Sequence, residues 1–275
     1  MLVTKADGST EEFRPQKLKN SLRRAGAKKG EIGRIVEEVM RTMTEGMTTG
    51  EIYRKAFSML QKSEYGAAAR YSLRRALFGL GPTGFPFEDF LTKLFEEEGL
   101  TVKTRQIIKG KCATHEVDIA AFNDMGSFVA EAKFHSHPGI KSDLQTILYS
   151  YARYIDLQQR PSCAADKCGI DALHVVTNTK FTKAAIKYAE CTGLTLLSWN
   201  YPKGATLQDR IEAQNLYPVT VLRGLSNKQK QNLLSSGVIL CRDLVGSPRV
   251  LQRIGLAKQK AGTVLTEARQ LCHSK

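Results

Sequence analysis

Asp118, Glu131 and Lys133 stand in two apolar stretches, "EVDIAAF" and "FVAEAKF", joined by the short turn "NDMGS". Side chains alternate along a strand, so Glu131 and Lys133 share one face and Ala132 takes the other. An ion removed from water costs several kcal/mol unless it is paired or binds a metal. Charges on strands this apolar therefore mark either a solvated edge or a site. Two carboxylates and a lysine suit phosphodiester hydrolysis, where the charge of the diester repels nucleophiles. A hard cation such as Mg²⁺ (or Mn²⁺) takes carboxylate oxygens, offsets that charge and lowers the pKa of a bound water. A lysine beside it orients the water or meets the developing charge. The plain alternative is a surface salt bridge between Glu131 and Lys133, worth about 0–1 kcal/mol.

The surrounding pattern predicts elements that would carry these residues. A helix (87–98) precedes strands over 100–108, 116–122 and 127–134, then a helix over 143–157. A strand (172–177), a helix (182–192) and a strand (194–199) follow. Three strands with short links imply an antiparallel meander, and the later β-α-β unit implies parallel pairing. The predicted class is α/β, a mixed α+β sheet covered by helices. "GPTGFP" (81–86) breaks the pattern before it. Upstream, "LVTKADGSTEEF" alternates around Asp7-Gly8, a tight hairpin. Four helices follow, the last over 65–80. Downstream, "LRGLSNKQKQNLLSSGVILCRDLVGS" and "RVLQRIGLAKQKAGTVLTEARQL" read as short helices punctuated by glycines. Three segments result: 1–80, 84–200 and 205–275.

The Asp-strand, ExK-strand pattern resembles the signature of the PD-(D/E)xK nucleases, the restriction-endonuclease-like superfamily, over roughly residues 85–200. The resemblance implies that Asp118 and Glu131 bind metal, that Lys133 assists the water, and that the product carries a 5′-phosphate. Gln145 and Tyr149 look like the QxxxY motif of some branches; at i and i+4 they share a helix face. Glu88 stands where many members place a further metal-binding acid. Val117 replaces the signature's opening proline. Residues 1–80 resemble the ATP-cone, on "VTKADGSTEEFRPQKL", "TTGEIYRKAFSML" and "AARYSLRRAL". That resemblance implies ATP or dATP as a regulatory ligand, with Lys5, Gly8 and Lys17 at the triphosphate. Ala6 stands where the family usually has Arg, one cation fewer. The third segment looks like a helix-hairpin-helix module, implying DNA-backbone contact by Gly255, Lys258 and Lys260, with Arg253 nearby. The alternative there is a packing cap on the nuclease.

Charge and composition agree with a polyanionic partner. The net charge is +14, carried as +7 over residues 1–80, −1 over 81–200 and +8 over 201–275. Basic ends favour nucleic acid, through an attraction that weakens steeply with salt. No apolar run approaches the ~20 residues of a membrane span, no signal peptide is visible, and a cytoplasmic protein with reduced thiols is expected. Cys163 and Cys168 bracket "CAADKC" without a second pair, which favours plain thiols over zinc. His115, His135 and His137 read as solvated loop residues, Glu116 as a candidate outer ligand on the face of Asp118. Trp199 and Tyr201 could stack on bases, with core packing the other reading for Trp199. The expectation is a Mg²⁺-dependent DNA endonuclease, a homodimer or higher homo-oligomer, governed by nucleoside triphosphate. The rivals are a nucleotide-responsive DNA-binding regulator with an inactive nuclease fold, and a junction-specific or RNA-directed nuclease.

Overall fold

Glycine at position 8 lets the first two strands meet. Its φ of 80° is left-handed, and its N–H bonds to the Lys5 carbonyl at 3.0 Å. The computed structural model describes residues 1–158 and 169–272, so Cys163 and Cys168 lie outside the described residues. Strands β1 (Leu2–Thr4) and β2 (Thr10–Glu12) pair antiparallel around this turn. Pro15 then opens α1 (Pro15–Arg24), where its missing N–H costs nothing. Helix α2 (Lys29–Thr42) buries Ile32, Ile35, Val36 and Val39, an i, i+3, i+4, i+7 stripe. A capping box of Thr48 and Glu51 starts α3 (Thr49–Ser63). The fourth helix expected over 65–80 is two, α4 (Tyr65–Tyr71) and α5 (Leu73–Phe78). At the break, Ser72 Oγ donates to the Ala69 carbonyl at 2.8 Å, the local bond by which serine competes with helix.

Next come α6 (Phe85–Glu97), β3 (Thr101–Lys109), β4 (Thr114–Asn123), β5 (Gly126–Lys133), β6 (Lys141–Ser142), α7 (Leu144–Gln158), β7 (Ala172–Thr177), β8 (Lys180–Phe181), α8 (Lys183–Thr192) and β9 (Thr195–Ser198). The principal sheet has the order β3-β4-β5-β7-β9. Its first three strands are antiparallel and β5, β7 and β9 run parallel. This is the mixed sheet expected from the order of elements. The two-residue β6–β8 pair carried no readable pattern. On β5, Phe128 meets Phe95 of α6 edge-on at 5.1 Å. Its neighbour Val129 joins Val117, Leu173 and Val175 beneath Ile147, Tyr154 and Leu157 of α7. Alternation thus puts α6 and α7 on opposite faces.

Helices α9 (Leu207–Ala213), α10 (Asn227–Ser235), α11 (Cys241–Gly246), α12 (Val250–Arg253) and α13 (Lys258–Cys272) complete the described chain. The chain divides into two compact units. One contains Met1–Leu77, His137–Gly139 and Tyr217–Lys275; the other contains Phe78–Ser136 and Ile140–Leu216. The two terminal segments, far apart in sequence, therefore share a unit. Within it, Thr220 Oγ1 donates to the Ala76 carbonyl at 2.6 Å. Glu267 of α13, buried, accepts from the N–H groups of Arg223 at 2.6 Å and Gly224 at 3.2 Å, which fixes the entry to α10. No helix among the described residues is long and apolar enough to cross a membrane.

The capping box gives a direct check on the first unit. Thr48→Ala should lower its stability by about 1 kcal/mol, read as an earlier urea midpoint, and Thr48→Ser should restore most of it.

Candidate active site

On β5 the odd-numbered side chains face α7, so Glu131 and Lys133 point the same way as Val129. There Lys133 Nζ meets Glu131 Oε1 at 3.3 Å, and Arg153 of α7 donates to Glu131 Oε2 at 2.8 Å. Asp118 is placed by a break in the sheet. The last registered β4–β5 pair is Ile119 with Ala130. Two residues on, the Ala132 N–H bonds to Asp118 Oδ2 at 2.8 Å rather than to a backbone carbonyl. On the other side, β3 pairs Thr104 with Ile119 and Gln106 with Val117, and skips Arg105. Arg105 has a left-handed φ of 51°, a conformation that costs a non-glycine residue of order 1 kcal/mol or more. Both neighbouring ladders thus open at Asp118, and its carboxylate takes up one of the backbone donors left over.

Burial first, and then the charge of Glu131, push the Asp118 carboxyl up to about 6. A carboxylate that raises the cost of ionising its neighbour forms with it the donor set that a divalent cation relieves. Both Glu131 oxygens already meet a cation, but each has a second lone pair to offer. The fit is a pair, with waters completing the shell as Mg²⁺ prefers. The expected third ligand, Glu88, is ion-paired elsewhere, although its charge adds to the rise at Asp118. Glu88 lies buried on α6, where Arg105 draws it off at 3.0 Å and also holds Asp89 at 2.7 Å. Among the described residues, no three His, Cys, Asp or Glu side chains gather closely enough to hold a metal.

An open recess of about 260 Å³ is lined by Thr114, His115, Glu116, Asp118, Tyr149 and Arg153. Tyr149 is exposed, with the Arg153 guanidinium 5.4 Å from its ring centroid. Gln145 lies a turn earlier on the same helical face, also exposed and outside the recess lining. Arg153 escaped the sequence reading, although it continues the i, i+4 series of Gln145 and Tyr149. Arg105 had no signal, since nothing local announces a left-handed residue inside a strand.

Two of the three histidines differ from the solvated loop residues expected. His115 is on β4 and pairs with Asp156 at 2.8 Å. His135 bonds to Ser142 Oγ at 3.0 Å, and its burial lowers its pKa. His137 is exposed. Tyr201 packs against the core beside α7 and α8, and Trp199 is half-buried at the end of β9. Glu116 is exposed at the recess.

In the first unit, Lys17 and Lys5 converge on Glu11, at 2.8 and 3.8 Å. The Lys17 hydrogen bond holds the Glu11 carboxyl below its usual range. Lys5 and Gly8 bound the hairpin turn, so the three residues expected at a triphosphate lie together. Arg253, Gly255, Lys258 and Lys260 are exposed around the turn into α13, where Gly255 has a φ of 80°.

Comparison with known proteins fits the two ends of the chain. The ATP cone domain matches residues 1–77, and the family described as AF1548-like, C-terminal, matches residues 217–272. An uncharacterized protein of Archaeoglobus fulgidus is 35% identical over 182 residues, 66% of this chain and 99% of the relative. The crystal structure of a protein of unknown function, AF1548, aligns with a TM-score of 0.56 at 33% identity, covering 69% of this chain and 98% of that one.

The carboxylate pair makes stability depend on pH in a definite sense. Asp118 ionises near 6 in the fold against an ordinary 3.8. Between those values the folded state binds more protons, so stability falls as pH rises, and the full cost is present above 6. In EDTA, Asp118→Asn should raise stability at pH 8 by about 1–2 kcal/mol, after discounting for solvent screening. The gain should vanish at about pH 3, below both values. Urea unfolding at the two pH values reads this directly; a destabilised variant at pH 8 would mean that the pair is not under tension.

Proposed function

The chain belongs to the AF1548-like family and carries an ATP cone, and we propose that it is a metal-dependent DNA endonuclease under nucleotide control. One observation carries the reading: Asp118, Glu131 and Lys133 converge where the β4 ladders open, with Arg153 pinning Glu131 from α7. The sheet order supports it, since this mixed arrangement is the one the nuclease resemblance implies. Net charge supports a polyanionic substrate.

Asp118 and Glu131 would hold a divalent cation, Mg²⁺ or Mn²⁺. Once bound, it would polarise the phosphoryl oxygen and supply a more acidic water. Lys133, partly exposed beside Glu131, orients the attacking water and meets charge developing on the phosphate. Arg153 and Tyr149 line the recess on the α7 side, placed to hold the diester, with Gln145 a turn away. Water adds to phosphorus, the bond to the 3′-oxygen breaks, and a 5′-phosphate remains. The basic turn at Arg253, Gly255, Lys258 and Lys260 would grip the DNA backbone without reading sequence. Cutting both strands takes two such sites, which favours a homodimer or higher homo-oligomer. The match to the ATP cone supports regulation by nucleotide; a triphosphate would compete with Glu11 for Lys5 and Lys17.

Supercoiled plasmid incubated with Mg²⁺ should be nicked by the wild type and not by Glu131→Ala or Lys133→Ala, and ATP or dATP should change the wild-type rate. Branched junctions and RNA in parallel reactions would identify a different preferred substrate. Cleavage unaffected by both substitutions would place the chemistry elsewhere. Salt-sensitive DNA binding with no cleavage on any of these would instead support a nucleotide-responsive regulator. In calorimetric titration, Lys17→Ala should weaken ATP or dATP binding about tenfold or more, the scale of one lost charge-assisted contact. Unchanged affinity would remove Lys17 from the nucleotide site.

A further inference from the structure

One residue lining the same recess, His115, is paired to Asp156 and has no part in the scheme above. His115 Nε2 meets Asp156 Oδ2 at 2.8 Å, and both side chains are largely buried. Asp156 follows Arg153 by three residues and Tyr149 by seven on α7, so all three share a helix face. The carboxylate is braced from several sides. It accepts from the Cys112 N–H at 2.7 Å and the Ala113 N–H at 3.1 Å, across the turn joining β3 to β4. The Lys111 N–H bonds to the Asp156 carbonyl at 3.1 Å, and Gly110 leaves no space for a Cβ against the Asp156 carboxylate. The His115 bond, followed by those backbone donors, holds the Asp156 carboxyl down to about 2, so it stays an anion.

Two plainer accounts fall short. Cys112 beside a histidine and an aspartate invites a nucleophilic thiol, but Asp156 pushes the Cys112 thiol up, away from thiolate. A purely structural brace for the turn would need only the aspartate and the backbone donors. It would not need an imidazole at the lip of a recess shared with Asp118, Tyr149 and Arg153.

We propose that His115, oriented by Asp156, is a substrate-contacting residue that donates a hydrogen bond from Nδ1 to a phosphate oxygen of the bound strand. Asp156 engages the ring through Nε2, which leaves Nδ1 as the ring nitrogen for the phosphate. Asp156 itself touches no substrate; it is a positioning residue. The inference rests on the nuclease reading of the recess and names how that site holds its polyanion.

The test is binding of a labelled duplex oligonucleotide to the full chain, by anisotropy at one fixed salt concentration, with Ca²⁺ replacing Mg²⁺. His115→Gln should weaken binding about tenfold, the scale of one charge-assisted hydrogen bond, with the melting temperature unchanged. Asp156→Asn should weaken it to a similar degree, and the double variant should be no worse than the weaker single one, because both losses act through one contact. His115→Arg, which places another donor there, should recover part of the affinity. Wild-type affinity in His115→Gln, beside a clear loss in Arg153→Gln, would overturn the inference and leave the nuclease reading standing. Absence of duplex binding by the wild type itself would overturn that reading, and this inference with it.

Discussion

Two carboxylates are held near each other against an apolar sheet in the second unit, and much of its site depends on how they are held. An Asp118 carboxyl displaced to about 6 measures the tension, and burial is its largest source. What holds the pair is ordinary packing. Val117 and Val129 bring β4 and β5 beneath Ile147 and Tyr154 of α7. That contact sets the height and rotation of α7, and so delivers Arg153 to Glu131. The Ala132 N–H secures Asp118 from the side. Under the proposed nuclease function, a bound cation and phosphate would relieve that strain, the usual trade between stability and activity at a site.

The break in the ladders serves the same end. A regular β4 would spend its backbone groups on β3 and β5 and leave Asp118 on one face or the other. Arg105 is skipped on one side and the register ends at Ile119 on the other, and the Asp118 carboxylate between them takes the Ala132 N–H. The left-handed backbone of Arg105 is part of the cost. Its guanidinium, bonded to Glu88 and Asp89, offsets the acids that burial on α6 would otherwise leave uncompensated.

The first unit handles charge differently. Its lysines at the hairpin meet on Glu11, an exposed arrangement of small energetic weight. Under the proposed nucleotide control, a triphosphate would displace Glu11 from such a contact at little cost. The buried carboxylate in this unit, Glu267, is instead fully committed to backbone donors at the entry to α10. One acid is replaceable and the other is architectural, and burial separates them.

Periodicity was enough to determine most of the helices and the mixed character of the sheet, because amphipathic repeats report which face of each element is buried; the break between α4 and α5 and the short β6–β8 pair left no such repeat. The spacing of Glu131 and Lys133, and of Gln145 and Tyr149, determined which residues share a face. Asp7-Gly8 determined the hairpin, since few residues accept its left-handed turn. Three things were decided only by tertiary structure. The ladder break at Asp118 depends on the register of three strands at once, and register is not written in any one of them. The diversion of Glu88 to Arg105 and the pairing of His115 with Asp156 join residues 17 and 41 positions apart. Such pairs form because packing brings them together, and no local pattern encodes a distance across the fold. The same reason put the two basic ends of the chain in a single unit, where their sequences read as separate segments.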